Sequence, residues 1–84
     1  MNKKSVTTRI RFLKNVSDIK KERVTNGLRK QMERFREDCR YRDVVLGYIQ
    51  GLKEEKVIGF AQYRDLSLLI HKEYRKMLHE VVTA

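Results

Sequence analysis

The chain has 84 residues, a formal net charge of +9, 37% charged residues, no proline, no tryptophan and a single cysteine. That length allows one small domain. A lone Cys39 excludes an intrachain disulfide and a thiolate-rich zinc site, and no apolar run approaches the ~18 residues that a bilayer span needs.

The N-terminus lacks the apolar core of a signal peptide, and one free thiol suits a reducing compartment. The expected location is therefore the cytoplasm. With so many charges and no proline to interrupt them, long helices are the expected product, and the fold class is all-α.

The charge is unevenly placed along the chain. Residues 1–42 hold fourteen Lys/Arg against five Asp/Glu, whereas residues 43–84 hold six of each. The basic first half predicts a polyanionic or acidic partner, and the neutral second half predicts a packing unit. The expected organisation is a basic N-terminal arm over 1–16, followed by one helical interaction domain over 17–84.

The arm, MNKKSVTTRIRFLK, contains Arg9, Arg11 and Lys14 and no acid. A loosely ordered tail is the plain reading. Thr8 to Phe12 also alternates polar and apolar, the strand period, with Ile10 and Phe12 on one side. A short ribbon pairing with a copy of itself would then present Arg9 and Arg11 together.

Ser17 begins a basic helix expected over about 18–41. Its hydroxyl is placed to cap, with Asp18 and Glu22 near the positive end of the dipole. Val24, Leu28, Met32, Phe35 and Cys39 then step by four, four, three and four, forming one narrow apolar seam. Asn26-Gly27 is a turn-favouring pair that either breaks this helix or weakens it by about 1 kcal/mol, so the firm part is expected from residue 26 onward.

Arg40 to Asp43 reads as a corner, with Asp43 a candidate N-cap. A helical hairpin follows, expected at about 44–56 and 60–82. Val45, Tyr48, Ile49 and Leu52 share one face of its first helix. Tyr63, Leu66, Ile70, Tyr74, Met77 and Val81 run along its second. Gly59 between them supplies a positive φ or a permissive cap. Gly47 and Gly51 either weaken their helix or allow another to approach closely. Leu68 and Leu69 lie off the main stripe of the last helix. That surplus predicts self-association into a dimer or tetramer, held by Leu66, Leu69, Ile70, Tyr74 and Met77.

The residues offer no catalytic set. His71 and His79 lie eight apart, about two helical turns, too far to share a metal. Adjacent Glu54 and Glu55 face different ways, and Cys39 falls on the apolar seam as a structural thiol. There is no phosphate-cradling glycine loop or hydrolase elbow. The expectation is a non-enzymatic protein with no cofactor, no metal, no small-molecule substrate and no membrane contact.

Two DNA-binding patterns fit in part. Gly47 to Phe60 accepts some helix-turn-helix slots, but Gln50 falls on an inner apolar position and Gly59 inside the reading helix. A ribbon-helix-helix over Thr8–Arg42 fits the alternation and the Asn26-Gly27 break, with a thin core for its first helix.

The basic start MNKKSVTTRIRFLK, the helix RKQMERFREDCRYR and the closing hairpin VVLGYIQGLKEEKVIGFAQYRDLSLLIHKEYRKML give the chain its character. In scale and composition it resembles the small, proline-free, charged helical regulators of prophages and plasmids. Among these are antirepressors, which inactivate a bacteriophage repressor by binding it rather than its operator. The resemblance implies a regulator of transcription acting through protein–protein contact. Arg29, Arg36, Arg40 and Arg42 would then face an acidic protein surface, with Phe35 and Tyr41 as aromatic anchors. The alternative is a small DNA- or RNA-binding protein using Arg9, Arg11 and Lys14 on phosphates.

Overall fold

The computed structural model of the protein describes residues 10–83, with side chains to Glu80. Within these residues three helices follow one another: α1 (Asp18–Glu37), α2 (Arg42–Glu54) and α3 (Phe60–Thr83), with a 3-10 turn at Cys39–Tyr41 between the first two. The all-α expectation holds, including the hairpin of α2 and α3. The molecule measures 46 × 28 × 17 Å. It is long because α3, at ~1.5 Å per residue, extends well beyond the 13-residue α2 beside it.

The apolar seam of α1 is what folds it in. Val24, Leu28, Met32 and Phe35 are buried, and an isolated helix with so narrow a stripe would be unstable in water. They meet Val45, Ile49 and Leu52 of α2, Leu66 and Ile70 of α3, and Val57 and Ile58 from the α2–α3 connection in one core. Helix α2 is central, with both α1 and α3 packed on it. Phe35, Val45, Ile49 and Ile70 are fully enclosed.

Ser17 caps α1 as its position predicts, its Oγ accepting from the Lys20 amide at 3.1 Å. The helix then runs unbroken through Asn26-Gly27. The turn tendency of that pair is overridden because a break would remove Leu28, Met32 and Phe35 from the register set by Val24. Gly27 has a different use. A Cβ there would stand 2.6 Å from the Tyr48 hydroxyl, so its bare backbone admits the tyrosine of α2. Of the two readings of Gly47 and Gly51, the close approach is not realised among the described residues, since neither has any such atom within 4 Å of an added Cβ.

Helix α1 ends sooner than expected, at Glu37. Asp38 caps the 3-10 turn, its Oδ1 accepting from the Arg40 amide at 3.0 Å. Asp43 is not the N-cap of α2. The helix begins at Arg42, two residues earlier than expected, Tyr41 is the cap without a side-chain bond, and Asp43 lies in the first turn, where its charge still favours the dipole.

The α2–α3 connection departs from expectation at one residue. The left-handed conformation falls on Lys56, at φ 61°, and not on Gly59. Lys56 occupies the position after the end of α2 at which glycine is usual, and the Val57 amide closes back on the Leu52 carbonyl at 2.9 Å. Gly59 has an ordinary φ and starts α3, its carbonyl accepting from the Tyr63 amide at 3.0 Å.

Part of the arm is bound to this connection. Phe12 makes an isolated antiparallel bridge with Ile58, and the Leu13 amide donates to the Val57 carbonyl at 3.0 Å. Ile10, Phe12 and Val16 pack against the core. The Arg11 amide donates to Oε1 of Gln62, a side chain only 6% exposed. Residues 10–16 are therefore held more firmly than a loose arm, because their alternating apolar side chains cover Val57 and Ile58. Their pairing in the single chain is with Ile58 and Val57. Thr8 and Arg9 lie outside the described residues.

Candidate nucleic-acid interface

The chain position of a charge and its place in space differ here. Asp65 of α3 is held by Arg11 of the arm at 3.0 Å, with Arg64 also near at 3.9 Å. Glu73 of α3 pairs with Arg36 of α1 at 3.4 Å. Glu55, after α2, meets Lys20 of α1 at 4.0 Å. With Asp43 on Arg42 at 3.5 Å, four acids of the neutral half are thus shared with cations of the basic half. The cations of α3 are left over. Among the described residues, Lys72, Arg75 and Lys76 have no carboxylate within ion-pair distance.

Arg75 shares an exposed face with Arg64, Lys72 flanks that face and Lys76 lies at its edge. Leu66 and Ile70 turn inward, with Tyr63, Tyr74 and Met77 at the margins of the core. Opposite them, Phe60, Arg64, Leu68, His71 and Arg75 step by four, four, three and four along one exposed face. No acid occurs at any of these positions. Asp65 lies at the edge of the face and is neutralised by Arg11. Glu73 lies on the opposite side, on the apolar register between Ile70 and Met77, and reaches Arg36.

An aromatic group marks the start of the face. Phe60 is 63% exposed. Its ring lies tilted against Tyr63, with centroids 6.2 Å apart. The Lys53 ammonium of α2 stands 4.6 Å from the Tyr63 centroid and 5.8 Å from that of Phe60. Both rings therefore attract this cation through their negative faces.

The expected protein-contact residues are dispersed and largely engaged. Phe35 has no exposure at all, so it is a core residue and no surface anchor. Tyr41 is half-buried and accepts from Arg34 Nη1 at 3.0 Å. Arg40 is bidentate on Asp38, at 3.0 Å in both bonds, and this holds the Asp38 carboxyl below its usual range. Arg36 is taken by Glu73. Arg42 lies 4.1 Å from the Tyr74 centroid and pairs with Asp43. Arg29 bonds only neutral Asn26 and keeps its charge available.

The residues expected to hold an oligomer divide in a similar way. Leu66 and Ile70 belong to the protomer's own core, at 2% and 0% exposure. Leu69, Tyr74 and Met77 are half-buried. Leu68 and Leu78 of α3 are exposed. Of the arm residues offered to phosphates, Arg9 lies outside the described residues, Arg11 is tied to Asp65, and Lys14 is exposed.

Sequence reasoning passed over Phe60, Lys53, Lys72 and Arg75. One signal was present: Glu73 sits on the apolar stripe, where a carboxylate needs a cation from another element.

Among the described residues no three His, Cys, Asp or Glu side chains are grouped to hold a metal, and no helix is long and apolar enough to cross a membrane. Compared with family models, with curated proteins and with solved structures, the chain matches none of them.

Proposed function

We propose that this protein binds nucleic acid, with the exposed face of α3 as the contact surface. The observation that carries this reading is the pairing of charges. Asp65 and Glu73 are neutralised from outside α3 by Arg11 and Arg36. Among the described residues Lys72, Arg75 and Lys76 keep no carboxylate partner and Arg64 shares Asp65 with Arg11; Arg64, Lys72 and Arg75 lie along the exposed side of α3, with Lys76 at its edge. A row of cations on a helix suits a regular polyanion, because each phosphate it meets releases condensed counterions. Contacts of this kind set affinity and register without reading sequence.

The antirepressor reading draws less support from the geometry. Its aromatic anchor Phe35 is interior, and Arg36 and Arg40 already hold carboxylates of their own chain. Replacing those intramolecular partners by a protein's acids would gain little.

The test is a titration with labelled duplex and single-stranded oligonucleotides over a range of salt concentrations, on protein whose mass is known from light scattering. Four phosphate contacts predict a slope of log K against log salt of about −3.6 on duplex or about −2.8 on a single strand. The variant Lys72→Ala/Arg75→Ala removes two contacts and should flatten these slopes by about 1.8 and about 1.4. Absence of salt-dependent binding, or a slope unchanged in the double variant, would reject α3 as the contact surface.

A further inference from the structure

The ring of Phe60 is the feature of the face that phosphate binding does not explain. It stands at the first position of α3 and is 63% exposed, although the neighbouring core had room for other aromatic side chains at its margin. It is not simply free in solvent. Tyr63 lies against it with centroids 6.2 Å apart, and the Lys53 ammonium stands 5.8 Å from its centroid and 4.6 Å from that of Tyr63. Its outward surface is left open. Arg64 stands one turn further along the same face, and its side chain is 60% exposed.

A planar apolar surface between two cations matches a planar base attached to an anionic backbone. A folded duplex does not offer such a base, because its bases are stacked on one another and hydrogen-bonded in pairs. An unpaired base offers its π-face to any aromatic ring, whatever its identity. We infer that the protein takes single-stranded nucleic acid in preference to duplex, with Phe60 as the platform on which one unpaired base stacks. Lys53, held on the two rings, lines the platform, and Arg64 holds the flanking phosphate. From Phe60 to Arg75 the helix axis covers about 22 Å, the length of roughly six stacked nucleotides of one strand. The strand then continues along α3 towards Lys72 and Arg75.

This inference rests on the nucleic-acid reading above, and the experiment separates the two. The protein has no tryptophan, so Phe60→Trp introduces a single tryptophan at the platform, excited selectively at the red edge where tyrosine does not absorb. Wild type, Phe60→Ala and Phe60→Trp are titrated with an oligothymidylate and with a blunt-ended, loop-free duplex carrying the same number of phosphates. Circular dichroism confirms that each variant is folded, and the exposure of Phe60 makes both substitutions tolerable.

The expected result has three parts. Phe60→Ala lowers affinity for the single strand by about five-fold or more, the loss of one base–aromatic stack. It leaves duplex affinity and both salt slopes unchanged. The Phe60→Trp protein keeps single-strand affinity, and its fluorescence is quenched by the single strand and not by the duplex.

Salt-dependent binding by the wild type that Phe60→Ala does not weaken would overturn the stacking inference and leave the phosphate contact standing. Stacking is equally overturned if Phe60→Ala weakens duplex and single strand alike, or if the tryptophan is not quenched. In those cases the ring belongs to a protein contact or to the fold. No binding of either probe by the wild type overturns both readings.

Discussion

Gly27 offers a sharp test of how α1 and α2 meet. Glycine inside a helix costs about 1 kcal/mol relative to alanine, so Gly27→Ala in an unobstructed helix should stabilise the protein by that amount. Here the new Cβ would stand 2.6 Å from the Tyr48 oxygen and 3.4 Å from the ring carbon that bears it. The oxygen must move, and Tyr48 is packed. Its ring borders the core, and burial, with the nearby Glu55 charge adding to it, raises its hydroxyl above the usual tyrosine range. Forcing one extra carbon into a packed contact costs about 1–3 kcal/mol. The net effect of Gly27→Ala is therefore between neutral and a loss of ~2 kcal/mol.

Tyr48→Phe removes the obstructing atom and leaves the remaining neighbour at 3.4 Å. In that background Gly27→Ala should recover nearly the whole propensity gain, about 1 kcal/mol, or about 4–8 °C in Tm for a domain of this size. The coupling between the two sites is then about 1–3 kcal/mol. Urea unfolding of the four proteins, followed by helical circular dichroism, measures it directly. A full gain from Gly27→Ala in the wild-type background, with no coupling to position 48, would mean that Tyr48 does not lie over Gly27. The α1–α2 contact would then be wrong.

Two further substitutions address the connection and the corner. Lys56→Gly should stabilise the fold by about 1 kcal/mol, because the φ of 61° that strains lysine suits glycine; a loss of stability in urea would show that Lys56 is not left-handed there. Arg40→Ala should move the Asp38 carboxyl titration, followed by NMR, upward towards its usual value of 3.8, because Arg40 is what lowers it. The sign of the linkage follows. With the folded value below the unfolded one, the contact adds stability above the unfolded pKa and loses it as pH falls through the folded one. The wild type and Arg40→Ala should therefore converge in stability at strongly acidic pH, and a difference that persists there would reject the carboxylate contact.

The helices and the buried stripes were legible because they depend on period and composition. Val24, Leu28, Met32 and Phe35 repeat at helical spacing, and burying them requires a helix regardless of what they meet. The two hairpin stripes follow the same logic. What sequence could not supply was the identity of the neighbours. Gly27 reads as a weak point until Tyr48 is placed above it. Gly59 reads as a positive-φ residue or a permissive cap, and it is the second, before α3; the chain completes its turn at Lys56, because the Val57 and Ile58 amides both return to the Leu52 carbonyl. Phe35 reads as an anchor because aromatic residues on a basic helix suggest recognition, but its register is that of the core. The arm misled for the same reason: its alternation was visible, and its partner, Ile58, was not.

The charge distribution carries this point furthest. A count along the chain divides it into a basic half and a neutral half and sends the search for a polyanion to the first. Ion pairs form across elements, however, and redistribute that excess. Asp65 and Glu73 take up Arg11 and Arg36, both from the basic half. For each such pair, one unit of positive charge leaves the surface of the arm or α1, and one cation of α3 loses its competitor. Exposed pairs of this kind add little to stability, so their main consequence is electrostatic. They move part of the positive field onto a helix whose own sequence is nearly balanced. There it lies beside Phe60, the one large aromatic ring left uncovered among the described residues. Net charge per segment therefore points to the arm and α1, whereas the charges that remain unpaired after folding point to α3.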